Sequence, residues 1–199
     1  MTEMAHRAGG TGLIGPNAIL QLVPVIELAG GRELRDQIFA AAGVFDMPSG
    51  DHMISEAPAA RVHQALRAQV PDLAAALAWE AGKRTADYVL ANRIPPFAQR
   101  LLKVLPWRLS APLLARAIAK NAWTFAGSGT FRVVTPYRFE LADNPIVAGE
   151  HSDTPLCYWH AAVFERLFQA LVHPHMICRE THCTAQGADA CVFELHLSS

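Results

Sequence analysis

The residues best equipped for chemistry crowd into the C-terminal quarter of this 199-residue chain: Cys157, Cys178, Cys183 and Cys191, with Glu180 and His182 among them. Cys183 and Cys191 bound a seven-residue loop, so a hairpin there brings two sulfurs within reach of one ion. Cys157 follows Thr154-Pro155, a pair that reads as the cap and first residue of a helix. Free N–H groups and the helix dipole at such a start favour the thiolate that a metal needs. Zinc accepts three sulfurs and a carboxylate or four sulfurs, which leaves two sets open: Cys157, Glu180, Cys183 and Cys191, or the same with Cys178 in place of Glu180. Spacing does not choose between them, and the competing reading makes all four thiols small buried hydrophobes. Four protein ligands leave no open coordination position, so such an ion would staple helix to hairpin and would not activate water.

The elements that must position these residues follow from periodicity. Pro16 opens a helix carrying Ile19, Leu20, Val23 and Ile26, expected to kink near Pro24 and to stop at Gly30-Gly31. Leu34, Ile38, Ala41 and Phe45 mark the apolar face of a second helix over 32–43, before a turn at 47–50. Helices are predicted over 58–69 and 71–92, each begun by proline. Two amphipathic pieces, 97–105 and 109–123, flank Pro106; Arg100, Lys103, Arg108, Arg116 and Lys120 mark faces read as solvated, with the apolar faces opposite read as core. After Gly127-Ser128-Gly129 the pattern favours strand through Phe131, Val133, Val134, Tyr137 and Phe139, with Pro136 implying an edge or a bulge. Asp143-Asn144-Pro145 marks a turn, and the helix from Thr154-Pro155 to about residue 172 presents Leu156, His160, Val163, Leu167 and Leu171 on its apolar face. A hairpin of 175–182 and 191–197 ends the chain, with Gly187 free to take a positive φ in its loop. Helices followed by a C-terminal antiparallel sheet make an α+β domain, expected over 13–199 behind a disordered start at 1–12.

Composition excludes several classes. With 51% hydrophobic and 18% charged residues the chain is too apolar for intrinsic disorder. A net charge of −1 supplies no field for a phosphate backbone, so nucleic acid is not an expected partner. The longest uncharged window, 8–26, is interrupted by glycines, Pro16 and Pro24 and is not read as a membrane span. No apolar run follows His6 and Arg7, so no signal peptide is expected and the location reads as cytoplasmic, where thiols stay reduced. Gly127-Ser128-Gly129 precedes a strand, the wrong order for a dinucleotide-binding turn, and no other nicotinamide motif is present.

Glu180-x-x-Cys183 followed by Cys191, with Cys157 upstream, resembles the signature of the 4-vinyl reductase domain family. In metal-binding relatives, the aromatic-sensing domains of certain transcriptional activators, the corresponding positions hold zinc. The resemblance therefore implies the set Cys157, Glu180, Cys183 and Cys191 and leaves Cys178 as a spare thiol. GPNAILQL at 15–22, WTFAGSG at 123–129 and NPIV at 144–147 resemble the bacteriochlorophyll-biosynthesis branch of that family. This likeness spans almost the whole chain. It implies an α+β sandwich related to vesicle-tethering domains, homodimeric, with a hydrophobic pocket between helices and sheet. The implied ligand is a magnesium porphyrin or chlorin, divinyl protochlorophyllide or chlorophyllide, presented to bacteriochlorophyll-biosynthetic enzymes, and the implied place is the cytoplasm or the periphery of the photosynthetic membrane. The alternative is that the chain itself reduces the ring vinyl group, which requires an electron donor whose site the sequence does not display.

A planar macrocycle needs an apolar slot with a few polar anchors. Trp123, Phe125 and Phe131 flank the helix-to-strand switch, and Trp159 and His160 begin the helix that follows Cys157; these five are the candidate pigment contacts, against the competing reading that aromatics build the core. His160 lies on an apolar face, where a neutral imidazole needs a hydrogen-bond partner or a metal. Arg179 is the candidate donor beside the anionic cluster.

Overall fold

The computed structural model describes residues 12–198. The disorder expected for 1–12 falls outside them except at Gly12, whose carbonyl accepts a hydrogen bond from the Glu56 N–H at 2.9 Å. A short ribbon of β1 (Leu13–Ile14) and β2 (Ile54–Ser55) brackets α1 (Asn17–Leu20) and α2 (Leu22–Ala41). Pro24 does not kink α2, because it sits in the first turn, where its missing N–H costs nothing. The break comes at Gly30 and Gly31, the latter at φ 73°, a left-handed conformation natural to glycine. Beyond it Ile38, Phe39 and Ala42 face inward while Ala41 and Phe45 are exposed, so the apolar face is rotated from the one the spacing suggested.

Four further helices follow: α3 (Glu56–Gln69), α4 (Pro71–Asn92), α5 (Pro96–Val104) and α6 (Trp107–Lys120). Ser55 caps α3 by accepting from the Ala57 N–H, one turn earlier than Pro58 implied. Glu56 reaches across to the glycine-flanked loop, accepting from Ser128 N–H at 2.6 Å and Ser128 Oγ at 2.7 Å. That loop therefore ties the helices to the first strand of the sheet.

The apolar alternation of the C-terminal region builds four antiparallel strands: β3 (Thr130–Thr135), β4 (Arg138–Ala142), β5 (Met176–His182) and β6 (Cys191–Leu197), in the order β3-β4-β6-β5. The expected bulge appears where the β3–β4 register shifts between Val133 and Thr135, just before Pro136, and β3 is an edge strand. The last helix, α7 (Tyr158–Leu171), lies between this sheet and α4. It starts at Tyr158 rather than Pro155, because Thr154 does not cap it; the Thr154 N–H instead donates to Ser152 Oγ.

α7 sets the core. Phe164, Phe168 and Leu171 pack with Phe139, Leu141 and Phe193 of the sheet, all of them buried, each large side chain contributing about 1.5–3 kcal/mol of hydrophobic stabilisation. On its other side, α7 meets α4 at Gly82, where a Cβ would lie 2.4 Å from the Trp159 carbonyl oxygen. The missing side chain lets the two backbones touch, and Trp159 Nε1 donates to Thr85 Oγ1 at 3.1 Å across the same seam. Among the described residues no helix is long and apolar enough to cross a membrane.

Candidate metal centre

Three elements deliver the cluster. Cys157 occupies the position before α7, its carbonyl accepting from the Ala161 N–H at 3.1 Å. It stands at the N-cap position and not, as expected, in the first turn. β5 carries Glu180, and its register against β6 shifts between Glu180 and His182, a bulge that re-aims the strand end towards Cys183. The loop then turns through Gly187 at φ 85° and returns the chain to Cys191 at the start of β6.

The ligand atoms offered by Cys157, Glu180, Cys183 and Cys191 all lie within 4.8 Å of one another, and the three cysteines are buried. Their sulfurs are 3.3 Å (Cys157 to Cys191), 3.8 Å (Cys191 to Cys183) and 3.9 Å (Cys157 to Cys183) apart. Glu180 Oε2 accepts from the Cys157 N–H at 2.6 Å, whereas its buried Oε1 has no hydrogen-bond partner. Cys178 stays outside the cluster; it is buried in β5, its N–H donating to Glu165 at 2.8 Å.

Asn144, which spacing marked only as a turn residue, supplies the polar support. Its Nδ2 donates to Cys157 Sγ at 3.1 Å and approaches Cys191 Sγ at 3.7 Å, while its Oδ1 accepts from the Ile146 N–H at 3.1 Å. The turn is anchored in its place by Arg67 of α3, which donates to the Ile146 carbonyl at 2.8 Å and pairs with Glu150. Asp143, at φ 52°, allows the sharp entry. The available signal was the NPIV motif itself, an Asn-Pro turn whose side chain can bond its own backbone two residues on. Thr184 Oγ1 lies 3.5 Å from Cys191 Sγ. Arg179, the candidate donor, is exposed and makes no hydrogen bond to the cluster among the described residues.

Electrostatics concentrates negative charge here. Hydrogen bonds from Cys157 and Cys183 hold the Cys191 thiol far below its usual pKa, so it is a thiolate. Burial pushes the Cys157 thiol well up. Burial, together with the Cys191 thiolate, raises the Glu180 carboxyl to about 7. A bound cation would reverse that conflict, drawing protons off the thiols and giving the orphaned Glu180 oxygen a partner. The donor set thus fits a closed metal site.

Four of the five candidate pigment contacts meet in the core. Ring centroids lie 5.0 Å apart for Phe125 and Phe131, 6.2 Å for Phe125 and His160, and 4.8 Å for Trp159 and His160. Trp123 does not join them and is 60% exposed. His160 Nε2 lies 3.4 Å from the Phe125 carbonyl, Nδ1 has no partner, and burial lowers the imidazole to about 4. The rings pack edge to face. A cavity of about 420 Å³ opens elsewhere, between α4, α7 and β5, beside Trp79, Tyr158, Glu165, Cys178 and Glu180.

The model of the 4-vinyl reductase domain family matches residues 137–197, the stretch that holds the sheet beyond β3, α7 and all four cluster ligands. The chain is 57% identical over 194 residues to a bacteriochlorophyll synthase 23 kDa chain from Cereibacter sphaeroides, covering 96% of this chain and 91% of that one. It is 48% identical over 185 residues to a bacteriochlorophyll synthase 23 kDa chain from Rhodobacter capsulatus, covering 92% and 86%. Among solved structures, an Fe(II) unliganded H-NOX protein variant from K. algicida shares the fold, with a TM-score of 0.55 at 12% identity over 94% of this chain and 97% of that one. A vinyl-4-reductase family protein from Methanocaldococcus jannaschii aligns with a TM-score of 0.37 at 16% identity, over 75% of this chain and 99% of that one.

Proposed function

From the premise that this chain belongs to the family of the bacteriochlorophyll synthase 23 kDa chains, we propose that it binds a magnesium tetrapyrrole intermediate of bacteriochlorophyll synthesis and presents it to the enzymes of that synthesis. The observation that carries this reading is the near full-length relationship to two proteins named for that synthesis. Divinyl protochlorophyllide or chlorophyllide is the proposed ligand, on the resemblance of its motifs.

The metal proposed for the cluster is zinc. Tetrahedral bonds of about 2.3 Å set sulfurs about 3.8 Å apart, and the sulfur separations of 3.3, 3.8 and 3.9 Å bracket that spacing. Cys157, Glu180, Cys183 and Cys191 would hold it, with Asn144 donating to the sulfurs. Zinc here supplies structure: it would clamp the start of α7 to the β5–β6 hairpin and so fix the helix that bears Trp159 and His160. A homodimer is the proposed assembly, again on the resemblance.

Phe125, Phe131, Trp159 and His160 are the proposed pigment contacts, with exposed Trp123 as the rim. His160 is the proposed axial ligand, because its buried imidazole is neutral and its Nδ1 has no partner. The packed rings would have to part to admit a macrocycle.

Titrating the purified zinc-loaded protein with divinyl protochlorophyllide is expected to shift the Soret band and saturate, and His160→Ala to alter that shift. No shift at micromolar protein would reject the reading. Conversion to the monovinyl product by the protein alone, supplied with NADPH or a low-potential reductant, would replace presentation with catalysis.

A further inference from the structure

Periodicity assigned the apolar faces of α5 and α6 to the core, and the fold does otherwise. Phe97, Leu101 and Val104 recur at four- and three-residue spacing along α5 and are 74%, 52% and 77% exposed. Leu102 is the residue α5 buries. Leu109 and Leu113 continue as exposed apolar side chains on α6, which packs against α5 across Leu105-Pro106. Isolated exposed leucines are ordinary, but a stripe along one helix continued on the next is not.

The charge around this stripe has one sign. From Tyr88 to Phe139 the sequence contains eight arginines and lysines and neither aspartate nor glutamate, in a chain whose net charge is −1. Arg93, Arg100, Lys103, Arg108, Arg116 and Lys120 are exposed on or next to α5 and α6, and none forms an ion pair among the described residues. On α5, at about 100° per residue, Arg100 and Lys103 flank the Phe97-Leu101-Val104 stripe on one side.

We infer that the α5–α6 pair is a docking surface for an anionic lipid bilayer. Apolar side chains flanked by unpaired cations match the two layers such a surface presents, acyl boundary and anionic headgroups. With no helix able to span among the described residues, binding would be peripheral. A second copy of the chain fits poorly, since a two-fold contact through this face would set Arg100 and Lys103 against their own equivalents. Nucleic acid would use the cations but would leave Phe97, Leu101 and Val104 unrewarded. The inference is independent of the pigment reading.

Flotation of the full chain with vesicles tests it. The protein is expected to float with phosphatidylcholine vesicles containing phosphatidylglycerol, to float poorly with pure phosphatidylcholine, and to be released by salt. Each cation near the surface is worth about fivefold in partitioning, so Arg100→Gln with Lys103→Gln should weaken binding about 25-fold. Phe97→Ser with Val104→Ser should weaken it as well, both variants keeping native circular dichroism, as expected for exposed positions. No flotation with anionic vesicles, equal binding to neutral ones, or unchanged binding by the serine variant would overturn the inference. So would a dimer in sedimentation that the serine variant dissociates. Vesicle binding without any Soret shift would remove the pigment reading and leave this one standing.

Discussion

Asn144→Asp changes one atom's chemistry at the heart of the cluster and nothing in the shape of the turn. The native Nδ2 donates to Cys157 Sγ at 3.1 Å and faces Cys191 Sγ at 3.7 Å, while Oδ1 holds the Ile146 N–H. Aspartate keeps the Ile146 bond but turns the sulfur side from donor to anion. Two unit charges at the Cys157 distance repel by about 5 kcal/mol at an effective dielectric of about 20, before the side chain relaxes. Asn144→Ala instead deletes donor and cap together. Loss of the donor should lower metal affinity about 10- to 100-fold, the usual effect of removing a partner of a metal ligand, and loss of the cap should cost about 1 kcal/mol. The expected order of zinc affinity is therefore native, then Asn144→Ala, then Asn144→Asp, while for metal-free stability the alanine variant loses the cap and the aspartate variant keeps it. Competition against a chromophoric chelator reads the first order and urea unfolding of the metal-free proteins the second. Zinc affinity unchanged in Asn144→Asp would refute the reasoning, because Asn144 would then serve only the turn.

Other expectations follow from the same geometry. Burial and the nearby Arg67 hold His63 down to about 3, and burial holds His160 at about 4. Both must stay neutral in the native state, whereas in the unfolded chain they take up protons below about 6.5. Stability should thus be unaffected by these groups above that pH and fall as pH drops from about 6.5 towards 4, by about 1.4 kcal/mol per group per unit. Urea midpoints that stay level across this range would count against it. Gly82→Ala should cost about 1–3 kcal/mol in urea unfolding, because the added methyl meets the Trp159 carbonyl and Ala162; a neutral outcome would mean that α4 and α7 part easily. Cys183→Ser and Cys191→Ser should aggregate or unfold and purify without metal, while Cys178→Ala should stay folded with one zinc per chain, read by elemental analysis. Metal lost with Cys178 and kept without Glu180 would transfer the fourth ligand to the spare thiol.

How much was legible depends on how local the cause is. The span of α4, Pro71–Asn92, could be read residue by residue, since proline at its start and alanines and leucines within it are local preferences. The β5–β6 hairpin was equally readable from alternation and Gly187. The start of α7 was not, because Thr154-Pro155 looks like a cap and first turn, and only the loop's own Ser152 bond diverts it. Nor was the fate of α5, since periodicity shows that a face is apolar without saying whether anything covers it.

By itself, then, the sequence determined the α+β order of elements and the residue types from which a sulfur-rich cluster can be built. Tertiary structure alone decided that the Glu180 carboxylate, and not the Cys178 thiol, shares a site with the other three ligands. It alone brought Asn144 to their sulfurs and left Phe97 and Val104 facing outward. The reason is physical: propensity and period act within one turn or one strand, whereas a site spanning residues 144 to 191 exists only once a helix start, a bulged strand and a distant turn are packed together.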